Sequence, residues 1–146
     1  MKIVGCKDND DVSRVMAEKV VEQIRKKPNL VFCLPAGNSP IGMYKYLVQM
    51  YKEGKADFSQ LRTFDMDEYA GLTPDDSHSF IYFMHQHFLD HVNINMDNVR
   101  YPKADAADLD AECKQYAQEI IDAGGLDIAI TSIGDDGHIA FNEPGE

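Results

Sequence analysis

Residues 30–54, LVFCLPAGNSPIGMYKYLVQMYKEG, carry the pattern that decides the fold class. Leu30-Val31-Phe32-Cys33-Leu34 is a compact apolar run, too short for a helix and suited to a buried strand. Pro35-Ala36-Gly37-Asn38-Ser39-Pro40 then supplies turn residues. Ser39 is expected to cap the next helix, with Pro40 in its first turn. Ile41, Tyr44, Leu47, Val48 and Tyr51 recur at helical spacing to about Gly54. A buried strand leading through a tight turn into an amphipathic helix is half of a βαβ unit.

The same alternation extends in both directions. Upstream, Ile3-Val4 reads as a short strand ended near Gly5. Val12, Val15, Met16, Val20 and Ile24 then mark a helix, entered through Asp8–Asp11 and stopped at Lys26-Lys27-Pro28. Downstream, Leu61–Phe64 reads as a strand. A helix carrying Phe80, Phe83, Met84, Phe88 and Leu89 follows Asp75-Asp76-Ser77. A short strand is expected near Val99–Tyr101 and a helix over Asp108–Ile121, closed by Gly124-Gly125. Leu126–Ile133 is the most strand-like stretch, interrupted only by Asp127. The reading is a single α/β domain over residues 1–146, Rossmann-like, with a mostly parallel sheet and helices on both faces. Strand order does not follow from the pattern. In such sheets ligands bind beyond the carboxyl ends of the strands. The loops beginning at Pro35, Asp65 and Gly134 are therefore expected along one edge.

Composition narrows the function classes. The chain has 146 residues, 44% of them apolar, which suits a folded domain with a real core. Its 25 acidic and 14 basic residues give a net charge of −11, the wrong sign for a nucleic-acid footprint. No apolar run approaches a membrane span, and MKIVGCKDND lacks a secretory core. Cys6, Cys33 and Cys113 are odd in number, widely spaced and read as free thiols, which points to the cytoplasm.

Each of the three loops has its own chemistry. LPAGNSP, residues 34–40, is either a plain helix entry or an anion site. Gly37 permits a tight backbone turn, and Ser39 with the first helix amides can face a phosphate. It lacks the lysine of a P-loop and the glycine spacing of a dinucleotide fingerprint. FDMDEYAGL, residues 64–72, sets Asp65, Asp67 and Glu68 close together. Strand-like alternation would place Asp65 and Asp67 on one side, where crowding raises a carboxyl pKa and suits a general base. A magnesium site or an ordinary acidic turn over Tyr69 are the other readings. GDDGHIAFNEPGE, residues 134–146, gathers Asp135, Asp136, His138, Glu143 and Glu146. An Asp–His–Glu set can hold an imidazole and shuttle protons. Gly134 and Gly137 permit the tight path, and Ile139 and Phe141 anchor it. A polar C-cap region followed by a frayed tail is the plain alternative.

The remaining candidates are weaker. His87 and His91 lie one helical turn apart, but two histidines do not make a zinc site and HExxH is absent. His78 sits near the expected crevice mouth. Phe80, Tyr82, Phe83 and Phe88 read as core packing. No metal and no organic cofactor is expected.

LPAGNSP, TFDMDEYAGL and IGDDGHIAFNEPG together resemble the glucosamine-6-phosphate deaminase family. The resemblance runs across the whole chain, including PIGMYKYLVQMYKEGKADF. The sugar-phosphate lactonases of the same superfamily share the first loop type but not the MDEY and GHIAFNEP segments. The resemblance implies aldose–ketose isomerisation coupled to loss of ammonia, taking glucosamine 6-phosphate to fructose 6-phosphate. By that resemblance Asp67 is the base moving a proton between C2 and C1. His138 assists ring opening, oriented by Asp136 and Glu143. Ala36, Gly37, Asn38 and Ser39 surround the phosphate, and Glu68 also meets substrate.

Departures from the family pattern accompany the match. Ala36 stands where threonine is usual, Asn38 where glycine is frequent and Ser39 where threonine is frequent. Asp65 replaces the usual asparagine, and its charge is expected to raise the pKa of Asp67 or to repel the phosphate. Ser132 replaces a common glycine. Family chains continue well beyond the equivalent of Glu146, so the domain is expected to be incomplete at its C-terminus. The expected partners are a sugar-phosphate substrate and, in a full-length parent, further copies of the same chain, with no nucleic acid and no membrane.

Overall fold

The computed structural model describes residues 2–145. Strands β1 (Val31–Leu34), β2 (Arg62–Asp65), β3 (Val99–Arg100) and β4 (Ile128–Ala129) form one sheet in the order β3-β2-β1-β4. All pairings are parallel, with Val31 opposite Arg62, Leu34 opposite Asp65, Phe32 opposite Ile128 and Thr63 opposite Val99. The chain steps outward from β1 to β3, then returns to place β4 on the other side of β1. The gap between the carboxyl ends of β1 and β4 is therefore a topological switch point, where open α/β sheets bind ligands.

Side chains alternate between the two faces of a strand, and parallel partners point the same way. Phe32, Leu34, Thr63 and Asp65 thus share one face. There Phe32 and Leu34 join a core built from Ala17, Val20, Val21 and Ile24 of α1 (Asn9–Lys26), Met43, Tyr44 and Leu47 of α2 (Ile41–Lys52), and Ile81 and Met84 of α3 (Phe80–His87). On the opposite face, with Val31, Cys33 and Phe64, lies α4 (Leu109–Asp122), none of whose residues is buried. The Tyr116 ring of α4 meets Phe64 edge-on at 5.6 Å. The α/β reading with helices on both faces is borne out.

The helix ends follow from local chemistry. Asp8 caps α1 by accepting from Asp11 N, Ser79 caps α3 by accepting from Tyr82 N, and Asp108 caps α4 by accepting from Ala111 N. Helix α2 differs, because Pro40 occupies its cap position and no side chain closes its first turn. Ser39 is therefore not the cap expected from the sequence. Helix α2 crosses α1 closely at Gly42, where a Cβ would collide with Ser13.

Two expected strands differ. Ile3-Val4 joins no strand, and Ile3 is exposed. A two-residue apolar run before a glycine has no neighbour in this four-stranded sheet. Strand β4 is confined to Ile128–Ala129 rather than extending over Leu126–Ile133. Its ladder partners are Phe32 and Cys33, and beyond Leu34 the chain of β1 turns away. Asp127, the polar break in that run, has a structural task. Its carboxylate accepts from Val31 N at 2.8 Å and pairs with Lys27 Nζ at 2.6 Å, fastening β4 to β1. Leu89 also leaves α3 and begins a separate turn over Leu89–His91. Among the described residues no helix is long and apolar enough to cross a membrane.

Candidate functional site

The first loop leaves β1 at Leu34 and enters α2. Gly37 has φ 91°, in the left-handed region that favours glycine. The buried Tyr44 hydroxyl donates to Pro35 O at 2.7 Å and pins the loop to the core. Tyr44 itself stacks on Phe88 with ring centroids 5.4 Å apart. Carboxylates serve the other helix entries: Asp8, Asp10 and Asp11 at α1, Glu68 at α3, and Asp108, Asp110 and Glu112 at α4. The first turn of α2 holds no acidic residue. Its free amides give an anion a favourable end of the helix dipole. They open on a groove of about 790 Å³ lined by Ala36, Asn38, Ser39 and Gly42, by Ile130–Ser132, and by Asn9, Asp10 and Ser13 of α1, so one carboxylate, Asp10, which accepts from the Tyr46 hydroxyl, stands in its wall. This groove lies at the β1–β4 switch point. Ser132, read as a crowding residue, is one of its walls.

The second loop leaves β2 at Asp65. The crowding expected of these acids is present, but the two differ in burial. The strand continues through Asp65, whose carboxyl is buried on the core face, while Asp67 lies beyond the last ladder residue and is half-buried. Among the described residues neither carboxyl oxygen of Asp65 has a hydrogen-bond partner, nor has the buried Thr63 hydroxyl two residues before it. Burial first, then the neighbouring Glu68 and Asp67, push the Asp65 carboxyl well above the usual carboxylate range. A buried carboxylate without partner or cation is costly to ionise, which favours the neutral acid at Asp65. Asp67 is also raised, by burial first and then by Glu68.

Glu68 is engaged by the protein itself. Its carboxylate accepts from Tyr69 N at 2.9 Å, from Phe80 N at 2.7 Å and from Ile81 N at 3.2 Å. It thus ties the second loop to the start of α3. From the other face of the sheet, the Tyr116 hydroxyl donates to Asp65 O at 2.7 Å. The sequence reading missed Tyr44 and Tyr116, the two phenols that hold the first and second loops. Their only sequence signal is a polar tip on an otherwise apolar helix face.

The third loop folds on itself. Gly134 N donates to His138 O at 2.9 Å and Gly137 N to Gly134 O at 2.9 Å, while Ile139 and Asn142 exchange backbone bonds of 3.2 and 3.0 Å. Asp136 Oδ1 lies 2.6 Å from His138 Nδ1 and accepts from His138 N at 3.1 Å. These bonds hold Asp136 below the ordinary carboxylate range. A carboxylate only accepts, so Nδ1 carries the proton and Nε2 is left open. Gly134 lies directly against the imidazole, and a Cβ there would collide with three ring atoms. Glu143 is exposed on the same loop, and among the described residues it is not hydrogen-bonded to His138. Glu146 lies outside the described residues.

The second and third loops meet through Phe141, whose ring lies 5.5 Å from Tyr69. Burial, with Asp65 and Asp67 nearby, pushes the Cys33 thiol to about 11, so it is an inert core group. His78 pairs with Asp76 on the surface, and His91 Nε2 is used by Gln86 O. Among the described residues no group of three or more histidine, cysteine or acidic side chains is disposed to hold a metal, the second loop included.

Comparison with known proteins places this geometry in context. A family described as glucosamine-6-phosphate isomerases/6-phosphogluconolactonase matches residues 7–141. A glucosamine-6-phosphate deaminase of Thermoanaerobacter sp. (strain X514) is 48% identical over 146 residues, covering 100% of this chain and 58% of that protein. The solved structure of a monomeric glucosamine-6-phosphate deaminase superposes with a TM-score of 0.96 at 35% identity, over 99% of this chain and 60% of that one. A 6-phosphogluconolactonase from Thermotoga maritima superposes with a TM-score of 0.76 at 22% identity, over 96% of this chain and 62% of the other. At that identity the likeness is one of fold alone. The chain spans 58% of the length of the first curated relative.

Proposed function

The chain belongs to the glucosamine-6-phosphate isomerase/6-phosphogluconolactonase family, and from that premise we propose that it carries the proton-transfer machinery of a glucosamine-6-phosphate deaminase. The reaction is an aldose–ketose isomerisation coupled to deamination, in which glucosamine 6-phosphate and water give fructose 6-phosphate and ammonia. The observation that carries the reading is a half-buried Asp67, raised above ordinary carboxylates, on the second loop and a His138 held by Asp136 on the third, the two loops meeting at Tyr69 and Phe141.

The phosphate sits in the groove at the start of α2, against the Gly37–Ser39 backbone and the Ser39 hydroxyl. Ala36 packs on the core and leaves this end without the hydroxyl usual in the family. His138 Nε2 takes and returns the proton that opens the sugar ring, with Asp136 holding its tautomer. Asp67 removes the C2 proton and returns it to C1. The amine-bearing C2 becomes an imine carbon, water adds there and ammonia leaves. A base with a raised pKa is better matched to a carbon-bound proton than an ordinary carboxylate. Glu143 supports His138 once substrate fills the crevice. Glu68 acts by fixing the loop that presents Asp67. A cytoplasmic setting, supported by the free thiols, and self-association, read by light scattering, belong to the same proposal.

The test is formation of ammonia and fructose 6-phosphate from glucosamine 6-phosphate, with Asp67→Asn and His138→Gln alongside. Loss of turnover by roughly 100-fold or more in each is expected for groups that move protons. Parental turnover in both variants refutes the role assignment. The absence of a threonine at Ala36 favours a second reading, a sugar-phosphate-binding domain without turnover. Calorimetric binding of glucosamine 6-phosphate with no product would select it. Lactone hydrolysis is disfavoured by the MDEY and GHIAFNEP segments, and preferential turnover of a phosphosugar lactone would reverse that order.

A further inference from the structure

Phe141 is 56% exposed, yet its ring is not loose. It lies 5.5 Å from the Tyr69 ring and 6.2 Å from the Phe80 ring, and those two are 4.9 Å apart. All three separations fall in the range of favourable aromatic contacts. The residue before it, Ala140, has φ 54°, a left-handed conformation that costs energy for any residue with a Cβ. The backbone accepts that cost while directing Phe141 onto the second loop.

The two rings it meets belong to the frame around Asp67. Glu68, adjacent to Asp67, takes the amides of Tyr69, Phe80 and Ile81. Tyr69 and Phe80 are therefore fixed relative to Asp67 by the backbone. Phe141 is fixed relative to His138 by the bonds within the third loop, Gly134 N to His138 O and the Ile139–Asn142 pair. No hydrogen bond or ion pair among the described residues joins the second loop to the third. Beyond the sheet from which both loops leave, the contacts between them are those of the three rings.

We infer that Tyr69, Phe80 and Phe141 form an aromatic clasp that sets the His138 loop against the Asp67 loop, with Phe141 as a positioning residue. Its importance to catalysis rests on the proposed deaminase reading, while the clasp itself does not. A group carried by one loop can then act on the same bound sugar as a group carried by the other. A misplacement of about 1 Å between such groups is enough to cost roughly 100-fold in rate.

The test is NMR on the 146-residue chain, with the His138 ring signal assigned by its loss in His138→Gln. The unsubstituted protein should show ring-to-ring NOEs between Phe141 and Tyr69. Phe141→Ala should shift the His138 ring signal and speed amide exchange at Gly134, Ile139 and Asn142 by about tenfold or more. Phe141→Leu should retain much of the parental protection. Tyr69→Leu, far away in the chain, should disturb His138 as Phe141→Ala does. The His85 and His91 signals should stay in place and report an intact fold. The clasp is refuted if the ring NOEs are absent, or if Phe141→Ala and Tyr69→Leu both leave His138 and the three amides at parental values. The NOE requires no substitution, so it tests the clasp even where one variant misfolds. None of these readouts uses substrate. Failure of the deaminase assay therefore leaves the clasp standing, and failure of the clasp leaves the deaminase assay to be judged by Asp67 and His138.

Discussion

Replacing Asp65 with asparagine tests the buried acid directly. The substitution preserves shape and removes only the titrating proton. In the unfolded chain an aspartate ionises near pH 4, as a rough reference value. In the folded chain burial, and then Glu68 and Asp67, hold the Asp65 carboxyl well above that range. Between those two limits the folded state binds one more proton than the unfolded state at this site. Stability must then fall as pH rises, and be fully present only below the unfolded pKa. The slope is about 1.4 kcal/mol for each pH unit in that window. An asparagine side chain carries no such proton and no such slope.

The Asp65→Asn variant should therefore gain on the parent as pH rises. Over two pH units of the window the relative gain approaches about 3 kcal/mol, or on the order of 10 °C in Tm for a domain of this size. The amide must find partners in the same space, which shifts the whole difference by a constant but not its slope. Urea unfolding followed by circular dichroism at about pH 4.5, 5.5 and 6.5, chosen to lie above the unfolded reference value, reads the slope. All other titrating groups are common to the two proteins and cancel to first order. Parallel stability–pH curves would overturn the prediction, since they would require Asp65 to be ionised in the folded chain.

Other substitutions report on separate joints. Tyr44→Phe removes the buried bond to Pro35 O and should cost about 1–2 kcal/mol in chemical denaturation. Glu68→Gln weakens the three-amide anchor at α3 and should cost on the order of 1–2 kcal/mol, with faster exchange of the Phe80 and Ile81 amides. Gly134→Ala puts a Cβ against the His138 ring, which can swing aside, so stability should change by less than about 1 kcal/mol. The same variant should lower turnover by about tenfold or more by moving the imidazole off Asp136. Since the Asp67 pKa is raised, the acid limb of turnover should lie above that of an ordinary carboxylate and move toward lower pH in Glu68→Gln.

Much of the scaffold was legible because its periodicities are strong. Helices α1, α2 and α4, strands β1 and β2 and the three loops at one sheet edge follow from alternating apolar runs and turn residues. Ile3-Val4 and the full length of Leu126–Ile133 were overread because apolar character reports burial and β preference, whereas a strand also needs a partner in register. Strand order was not legible at all. That order, with β4 returning beside β1, is what places the anion-suited start of α2 opposite Ile130–Ser132. Tyr44, Tyr116 and Phe141 show the other blind spot. Each looks like core or anchor in the sequence, and only the fold reveals which loop its ring or hydroxyl holds.

Asp65 and Asp67 show most sharply where sequence pattern loses its grip. They are the same residue type two positions apart, and alternation assigns them one side and one shared chemistry. The sheet gives them different burial, because Asp65 is the last residue paired with β1, opposite Leu34. Its side chain is therefore committed to the core face, among described residues that give its oxygens no hydrogen bond. Met66 N still donates to Leu34 O at 3.1 Å, and Asp67, one residue further on, reaches a half-exposed position beyond the strand end. The end of β2 thus leaves one carboxyl buried and strongly raised and the other half-buried and raised less by neighbouring charge than by burial. A one-residue shift of that boundary would move the buried acid to a different position. The chemistry of the crevice depends on strand register as much as on which acids the chain contains.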